Sequence, residues 1–318
     1  MQTDALAGRY RLDARLGSGG MGTVYKATDL TTGRTVALKV LHANLVNTPE
    51  FLKRFEREAR VMAALDHPNL IRLLAVDRDE QLPFLVMPYV EGQSLRALLK
   101  AKTRLTGREV MPVLEQLCHA LGYLHARGVV HRDVKPDNVL VSHDGHVTLL
   151  DFGISRKGGG SELTEPGRLL GTLRYMAPEQ ALDGPIDFRA DLYSLGLMTY
   201  HLLTGVTPFG ADNGHTTILK HLYETPELAS RMSPAVSDAV ARVLAKALEK
   251  DPAARHASAL DFFDDFAKAF SVDATAGDTR NAATEQTAMS NAELTAVAEP
   301  AKKQGLFASV KRLLGRER

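Results

Sequence analysis

The run that most constrains this chain lies between residues 129 and 152 and reads VVHRDVKPDNVLVSHDGHVTLLDF. A charged loop, His131-Arg132-Asp133-Val134-Lys135-Pro136-Asp137-Asn138, leads into a short strand pair, and Asp151-Phe152-Gly153 begins 13 residues after Asn138. Phosphoryl transfer to a hydroxyl needs a carboxylate that orients the acceptor and takes its proton, a divalent metal that offsets phosphate charge, and a cation near the transferring group. Asp133 can be the first, Asn138 and Asp151 the metal ligands, and Lys135 the cation. Mg²⁺ prefers the hard oxygen donors that Asn and Asp supply.

Upstream, Leu16 to Val24 read LGSGGMGTV, with Gly17, Gly19 and Gly22 at G-x-G-x-x-G spacing. Glycines allow tight turns and let amide N–H groups approach phosphates. By itself the spacing also fits a dinucleotide loop, but such a loop opens a helix, and these glycines lead into the strand-like TVYKAT. Lys39 follows Gly17 by 22 residues, inside the apolar strand VALKVL, where an ammonium needs an anionic partner. ATP phosphates or a carboxylate would serve. Glu58 is the candidate carboxylate, drawn inward by the stripe that includes Ala59 and Met62. The other reading leaves it solvated like Glu56.

The order of elements is a strand-rich region over residues 10–90 and a mostly helical one beyond 94. Gly-containing turns between alternating residues predict antiparallel hairpins. LIRLLAVDR and LPFLVMPYV are two further strand candidates. Residues 49–65 carry Phe51, Leu52, Phe55, Ala59, Met62 and Ala63 at helical spacing, with Pro49 in the first turn. Segments 108–127, 189–204, 235–249 and 258–270 read as helices. After Phe270 large apolar residues thin out. Residues 271–300 read as a disordered linker with side chains summing to −4, and residues 301–318 as a basic segment summing to +5.

Composition sets outer bounds. Of 318 residues, 44% are hydrophobic and 24% charged, as in a folded soluble protein. The single cysteine, Cys118, rules out a disulfide within the chain and reads as a packing residue, which fits a reducing cytoplasm. Lys plus Arg is 39 against 38 for Asp plus Glu, which gives no support for a nucleic-acid partner. The N-terminus has no signal-like apolar region, and no run of 18 apolar residues occurs.

Taken in order, GSGGMGTV, VALK with Lys39, Glu58, HRDVKPDN, DFG at 151–153 and APE at 177–179 resemble the eukaryotic-like protein kinase family, specifically the bacterial Hanks-type serine/threonine kinases. The resemblance covers residues 10 to about 270. It implies an α+β, bilobal protein kinase fold. Its N-terminal antiparallel sheet lobe with one main helix would span 10–87, its hinge 88–93 and its larger helical C-terminal lobe 94–270. It implies ATP and Mg²⁺ (or Mn²⁺), with Gly17, Gly19 and Gly22 as a lid over the phosphates. Lys39 would contact phosphates and pair with Glu58, Asp133 would be the base, and Asn138 and Asp151 would hold metal. Adenine would lie between Val24, Ala37 and Leu140, behind which Met87 narrows the pocket. Pro88 departs from the usual Glu, but the hinge contact there needs only a carbonyl, and Val90 keeps the donor N–H. Asp191 would brace the catalytic loop. Glu179 would pair with Arg255, although two independent surface charges are the other reading. Met62, Leu73, His131 and Phe152 would stack between the lobes, with Gly153 completing DFG.

Lys135 two residues after the base, and Thr172 in GTLRYMAPE, match the serine/threonine class. Arg132 before the base implies activation by phosphorylation of the loop between Asp151 and Glu179, with Thr164 the first candidate and Ser161 the second. Trans-autophosphorylation implies a transient kinase–kinase contact. Protein substrates and a phosphothreonine-reading domain are the other implied partners, the latter through threonines 275, 279, 284, 287 and 295. In 301–318, Leu306, Phe307, Val310, Leu313 and Leu314 fall at helical spacing in a basic surround. This suits an anionic membrane surface or a partner groove, the alternative being a weakly structured solubilising end. Many relatives continue into a transmembrane helix, so a chain stopping at 318 is expected to be cytoplasmic, or peripheral at the inner membrane face. A pseudokinase scaffold and a small-molecule kinase of the same fold are the competing readings.

Overall fold

The strand-rich half folds as one antiparallel sheet because its β-branched and aromatic residues alternate between two faces. In the computed structural model, which describes residues 5–151, 173–182, 184–211 and 213–271, this sheet contains β1 (Ala5–Leu6), β2 (Tyr10–Ser18), β3 (Gly22–Asp29), β4 (Thr35–Leu41), β5 (Ala75–Asp79) and β6 (Leu82–Pro88). The strand order is β1-β2-β3-β4-β6-β5. Central β4 is buried along almost its whole length. Register pairs Val24 with Lys39, Lys39 with Leu85, and Ala37 with Met87. These residues therefore share one face, since partners across a ladder point the same way. The opposite face closes a smaller core of Tyr10, Ala27, Val36, Leu38, Val40, Phe84 and Val86. A one-residue slip of β4 would exchange Lys39 for Leu38 and abolish the arrangement.

Helix α1 (Pro49–Ala63) follows β4 and buries Phe55, Glu58, Ala59 and Met62. The second strand candidate is realised as β6. The first is realised only in part, because β5 begins at Ala75. Residues 70 and 71 instead bridge to the other half of the molecule: Leu70 forms an isolated bridge with Leu149, and the Ile71 N–H donates to the Leu149 carbonyl, while the Leu74 N–H donates back to Val86 of β6. Asn69 fixes this crossing by donating to Val147 O and Gln116 Oε1.

The helical half is built on α2 (Leu95–Lys102), α3 (Gly107–His125), α4 (Pro178–Ala181), α5 (Arg189–Thr204), α6 (Gly214–Tyr223), α7 (Ala229–Met232), α8 (Asp238–Ala247) and α9 over residues 259–271. Thr106 and Glu109 form a reciprocal capping box at the start of α3. Helix α5 is buried on every side from Ala190 to Thr204, the expected state of a helix apolar all round. Cys118 lies in this core, where burial pushes its thiol well above the usual range. A small sheet of β7 (Gln93–Ser94), β8 (Val139–Val141) and β9 (Val147–Leu149) faces the strand half and carries Leu140. No helix among the described residues is long and apolar enough to cross a membrane.

Candidate active site

The site forms where the Lys39 face of β4, the inner face of α1, the loop between α3 and β8 and the residues just after β9 meet. Lys39 Nζ lies 2.6 Å from Glu58 Oε1 and 2.9 Å from Asp151 Oδ1. Desolvation pulls the Lys39 ammonium down, but the two carboxylates outweigh it, so its pKa is raised. Desolvation pushes Asp151 up and Lys39 pulls it down further, leaving it below the usual carboxylate value. Glu58 is 1% exposed, so the inward reading holds over the solvated one. Its Oε2 is buried without a partner, and burial raises its pKa against the pull of Lys39.

In the loop, Lys135 Nζ donates to Asp133 Oδ2 at 2.8 Å. Asn138 Nδ2 donates to the same oxygen at 2.9 Å and to Asp133 O at 2.8 Å. With its nitrogen turned to Asp133, the Asn138 amide oxygen faces the other way. Asn138 and Asp151 thus offer hard oxygens, a donor set that fits Mg²⁺ sharing its remaining positions with phosphates and water. Arg132 sits at φ 68° and Asp151 at φ 43°, backbone that non-glycine residues seldom adopt. What holds Arg132 there is Asp191, which is 0% exposed. Its Oδ1 accepts from the Arg132 N–H at 2.7 Å, and its Oδ2 accepts from the His131 N–H and from His125 Nε2, each at 2.8 Å. Gln180 Nε2 donates to the Arg132 carbonyl.

The glycines are not equivalent. A Cβ at Gly22 would lie 2.3 Å from Val40 O, so only glycine lets β3 lie this close to β4 there. At Gly17 nothing lies within 4 Å and at Gly19 only Gly22 O does, at 3.8 Å; a Gly19 N–H to Gly22 O bond closes the turn. His42 was missed from sequence. Its Nε2 lies 3.1 Å from Thr23 Oγ1 and 3.4 Å from Ser18 Oγ, and its N–H donates to Met21 O, so it ties both arms of the turn to the end of β4. A histidine just past an apolar strand carries no sequence signal for this.

Val24, Val90 and Leu140 are half-buried, and Ala37 and Met87 buried, along the strip that the register creates. Pro88 ends β6. Glu179 and Arg255 are brought together, with Nη1 to Oε1 at 2.6 Å and Nη2 to Oε2 at 2.9 Å. Of the expected interlobe stack, Met62 and His131 are buried and Leu73 is half-buried. Phe152, Gly153, Ser161, Thr164 and Thr172, and the segments 272–300 and 301–318, lie outside the described residues.

Residues 10–264 match the protein kinase domain family, and the chain belongs to it. Within that family it is a member of the bacterial serine/threonine kinases. It is 36% identical over 268 residues to serine/threonine-protein kinase PrkC of Bacillus subtilis, covering 84% of this chain and 41% of PrkC. The crystal structure of the Mycobacterium tuberculosis PknI kinase domain is similar with a TM-score of 0.68 at 30% identity, over 85% of this chain and 99% of that one. Rad53, solved in complex with AMP-PNP, gives 0.67 at 26% identity over 81% of this chain and 64% of that one. The chain spans about two fifths of the length of the first curated relatives it matches.

Proposed function

We propose that this protein transfers the γ-phosphoryl group of ATP to serine or threonine hydroxyls of protein substrates. The observation that carries the reading is Asp133, held by Lys135 and Asn138 beside an Arg132 backbone locked to Asp191. Asp133 orients the acceptor hydroxyl and takes its proton as the new O–P bond forms and the bond to the β-phosphate oxygen breaks, releasing ADP. Lys135 offsets charge on the transferring group. Lys39, steadied by Glu58, receives the α and β phosphates, and the turn at Gly17, Gly19 and Gly22 covers them. Asn138 and Asp151 would hold Mg²⁺ or Mn²⁺, which neutralises phosphate charge when bound. Val24, Ala37, Leu140 and Met87 enclose adenine, with the Pro88 carbonyl and Val90 N–H as its polar contacts.

The domain division is read as a kinase domain over 10–270 with its hinge at 88–93, followed by a linker and a basic amphipathic segment. Thr172, Phe152 and Gly153, outside the described residues, keep the roles that the resemblance implies for them. Phosphorylation of Thr164, or of Ser161, by a second copy of the chain activates the enzyme through Arg132. A cytoplasmic setting, with 301–318 touching an anionic membrane face, and a phosphothreonine-reading partner complete the proposal. Incubating the full chain with radiolabelled ATP and Mg²⁺, then mapping phosphosites, tests it. Label on serine and threonine, including Thr164, and weaker activity of Thr164→Ala are expected. No incorporation on itself or any protein would refute the reading.

A further inference from the structure

Lys26 stands at the end of the strip read for adenine. Register pairs it with Ala14 on β2 and with Ala37 on β4, and pairs Ala37 with Met87 on β6. Partners across a ladder point the same way, so Lys26 shares the face that carries Val24, Ala37 and Met87. Both of its cross-strand neighbours are alanines, which leaves room for its four-carbon stem to lie along the sheet. The stem ends at the hinge: Lys26 Nζ stands over the Tyr89 ring, 4.5 Å from its centroid. Both residues are half-buried. Asp13 feels the Lys26 charge, but its carboxylate is already taken by Arg11 and by the Thr28 hydroxyl. The face of the ring carries the negative pole of its quadrupole and meets the ammonium instead.

The position of Tyr89 gives this contact its consequence. Pro88 ends β6 opposite Val36, and a proline brings no N–H to that last rung. From Tyr89 the chain leaves the sheet. The Pro88 carbonyl belongs to the peptide just before Tyr89, and the Val90 N–H to the peptide just after it. These are the two polar contacts read for adenine, and both peptides turn about the Tyr89 Cα. Holding the Tyr89 side chain against the sheet therefore limits the rotation of both.

We propose that Lys26 and Tyr89 form a clasp that sets these two peptides for the base, which makes Lys26 a positioning residue for nucleotide binding. The inference rests on the reading that places adenine against Val24, Ala37 and Met87. A cation over an aromatic ring at a partly exposed site is worth about two- to fivefold in an equilibrium constant. The clasp acts at the hinge end of the cleft, so its loss falls on recognition of the base, and a ligand without phosphates feels it as much as ATP does.

The test uses the full chain. ATP–Mg²⁺ affinity is measured by calorimetry, adenosine affinity by competition, and kcat and KM on a threonine peptide. Lys26→Met keeps the stem and removes the charge, and Tyr89→Leu removes the ring. Each should weaken ATP and adenosine by the same factor, about two- to fivefold, and raise KM for ATP by more than it lowers kcat. The double variant should bind no more weakly than either single one, because all three lack the same contact. Lys26→Arg and Tyr89→Phe keep a cation over a ring and should restore the affinity; a merely structural loss would not follow that pattern. Lys26→Met and Lys26→Arg decide the question alone if a Tyr89 variant fails to fold. Wild-type affinity in Lys26→Met, losses that multiply in the double variant, or equal losses in Lys26→Arg and Lys26→Met would overturn the clasp. A wild-type chain that binds neither ATP nor adenosine would overturn the adenine reading instead.

Discussion

Replacing Asp191 by asparagine removes a charge from the point where the catalytic loop is held. The carboxylate accepts three hydrogen bonds while fully buried, two of them from consecutive backbone N–H groups. Asparagine has one acceptor oxygen. If that oxygen takes the Oδ2 place, the His131 and His125 contacts survive and an NH₂ group faces the Arg132 N–H. If it takes the Oδ1 place, two donors are opposed. The first arrangement loses least, about 3 kcal/mol, as one hydrogen bond to a charged group is broken and two are weakened. For a domain of this size that lowers Tm by about 6–12 °C. The loss falls on Arg132, whose φ of 68° is held through that bond. Once released, the backbone relaxes and Asp133, the next residue, moves with it. A displacement of about 1 Å at a reacting group costs about 100-fold in rate. We therefore expect Asp191→Asn to fold, to bind ATP with nearly unchanged affinity, and to lose about 100-fold in kcat. His125→Ala breaks one bond at Oδ2 and leaves Arg132 tethered, so it should lower Tm with little loss of kcat. Calorimetry and initial-rate phosphorylation of a peptide measure both. Normal kcat in Asp191→Asn, or equal kcat losses in the two variants, would refute the tether.

Arg255 spends its donors on Glu179 and on the carbonyls of Arg189, Glu249 and Lys250, with its side chain 0% exposed. Glu179→Ala leaves that guanidinium buried and uncompensated, and denaturant unfolding should show a loss of about 3–5 kcal/mol. Stability should also fall with acid in a defined window. Burial holds His201 and His256 down to about 4 and His221 to about 3, below the ordinary histidine value. The unfolded chain then binds more protons between pH about 6.5 and 4, so this contribution is complete above that window and is lost as pH falls through it, each histidine adding a slope of about 1.4 kcal/mol per pH unit. Urea midpoints from pH 7.5 to 4.5 check this, and a flat profile would contradict it. His42→Ala should raise KM for ATP about threefold, on the scale of one net hydrogen bond, with a smaller effect on kcat, because it loosens the glycine turn without touching the reacting groups.

Much of the site is legible in sequence because its parts are local. HRDVKPDN places Asp133, Lys135 and Asn138 within six residues, and Lys39 stands out as a charge inside an apolar strand. Glu58 was readable as a candidate because it falls on the buried stripe of α1, but only packing decides that it is inside. The crossing at residues 70–74 was misread because LIRLL is as apolar as a strand; its hydrogen bonds are divided among the turn at His67, β9 and β6 and form no ladder of their own. Helix α2 was too short to show periodicity, at 8 residues, and α6 begins on a glycine capped by Asn213, a signal weaker than its apolar pattern needed. The Ser18–His42–Thr23 ties and the Arg96–Asp137 pair join residues 19 to 41 apart across different elements, and no spacing rule reaches them.

The central claim is that Asp133 takes the acceptor proton in a site otherwise complete for nucleotide binding. The most direct measurement is phosphoryl transfer by Asp133→Asn, paired with ATP–Mg²⁺ affinity from calorimetry on the same preparation. The account predicts unchanged affinity and transfer reduced at least about 100-fold, the lower range for loss of a general base. Transfer at the wild-type rate with intact nucleotide binding would contradict it.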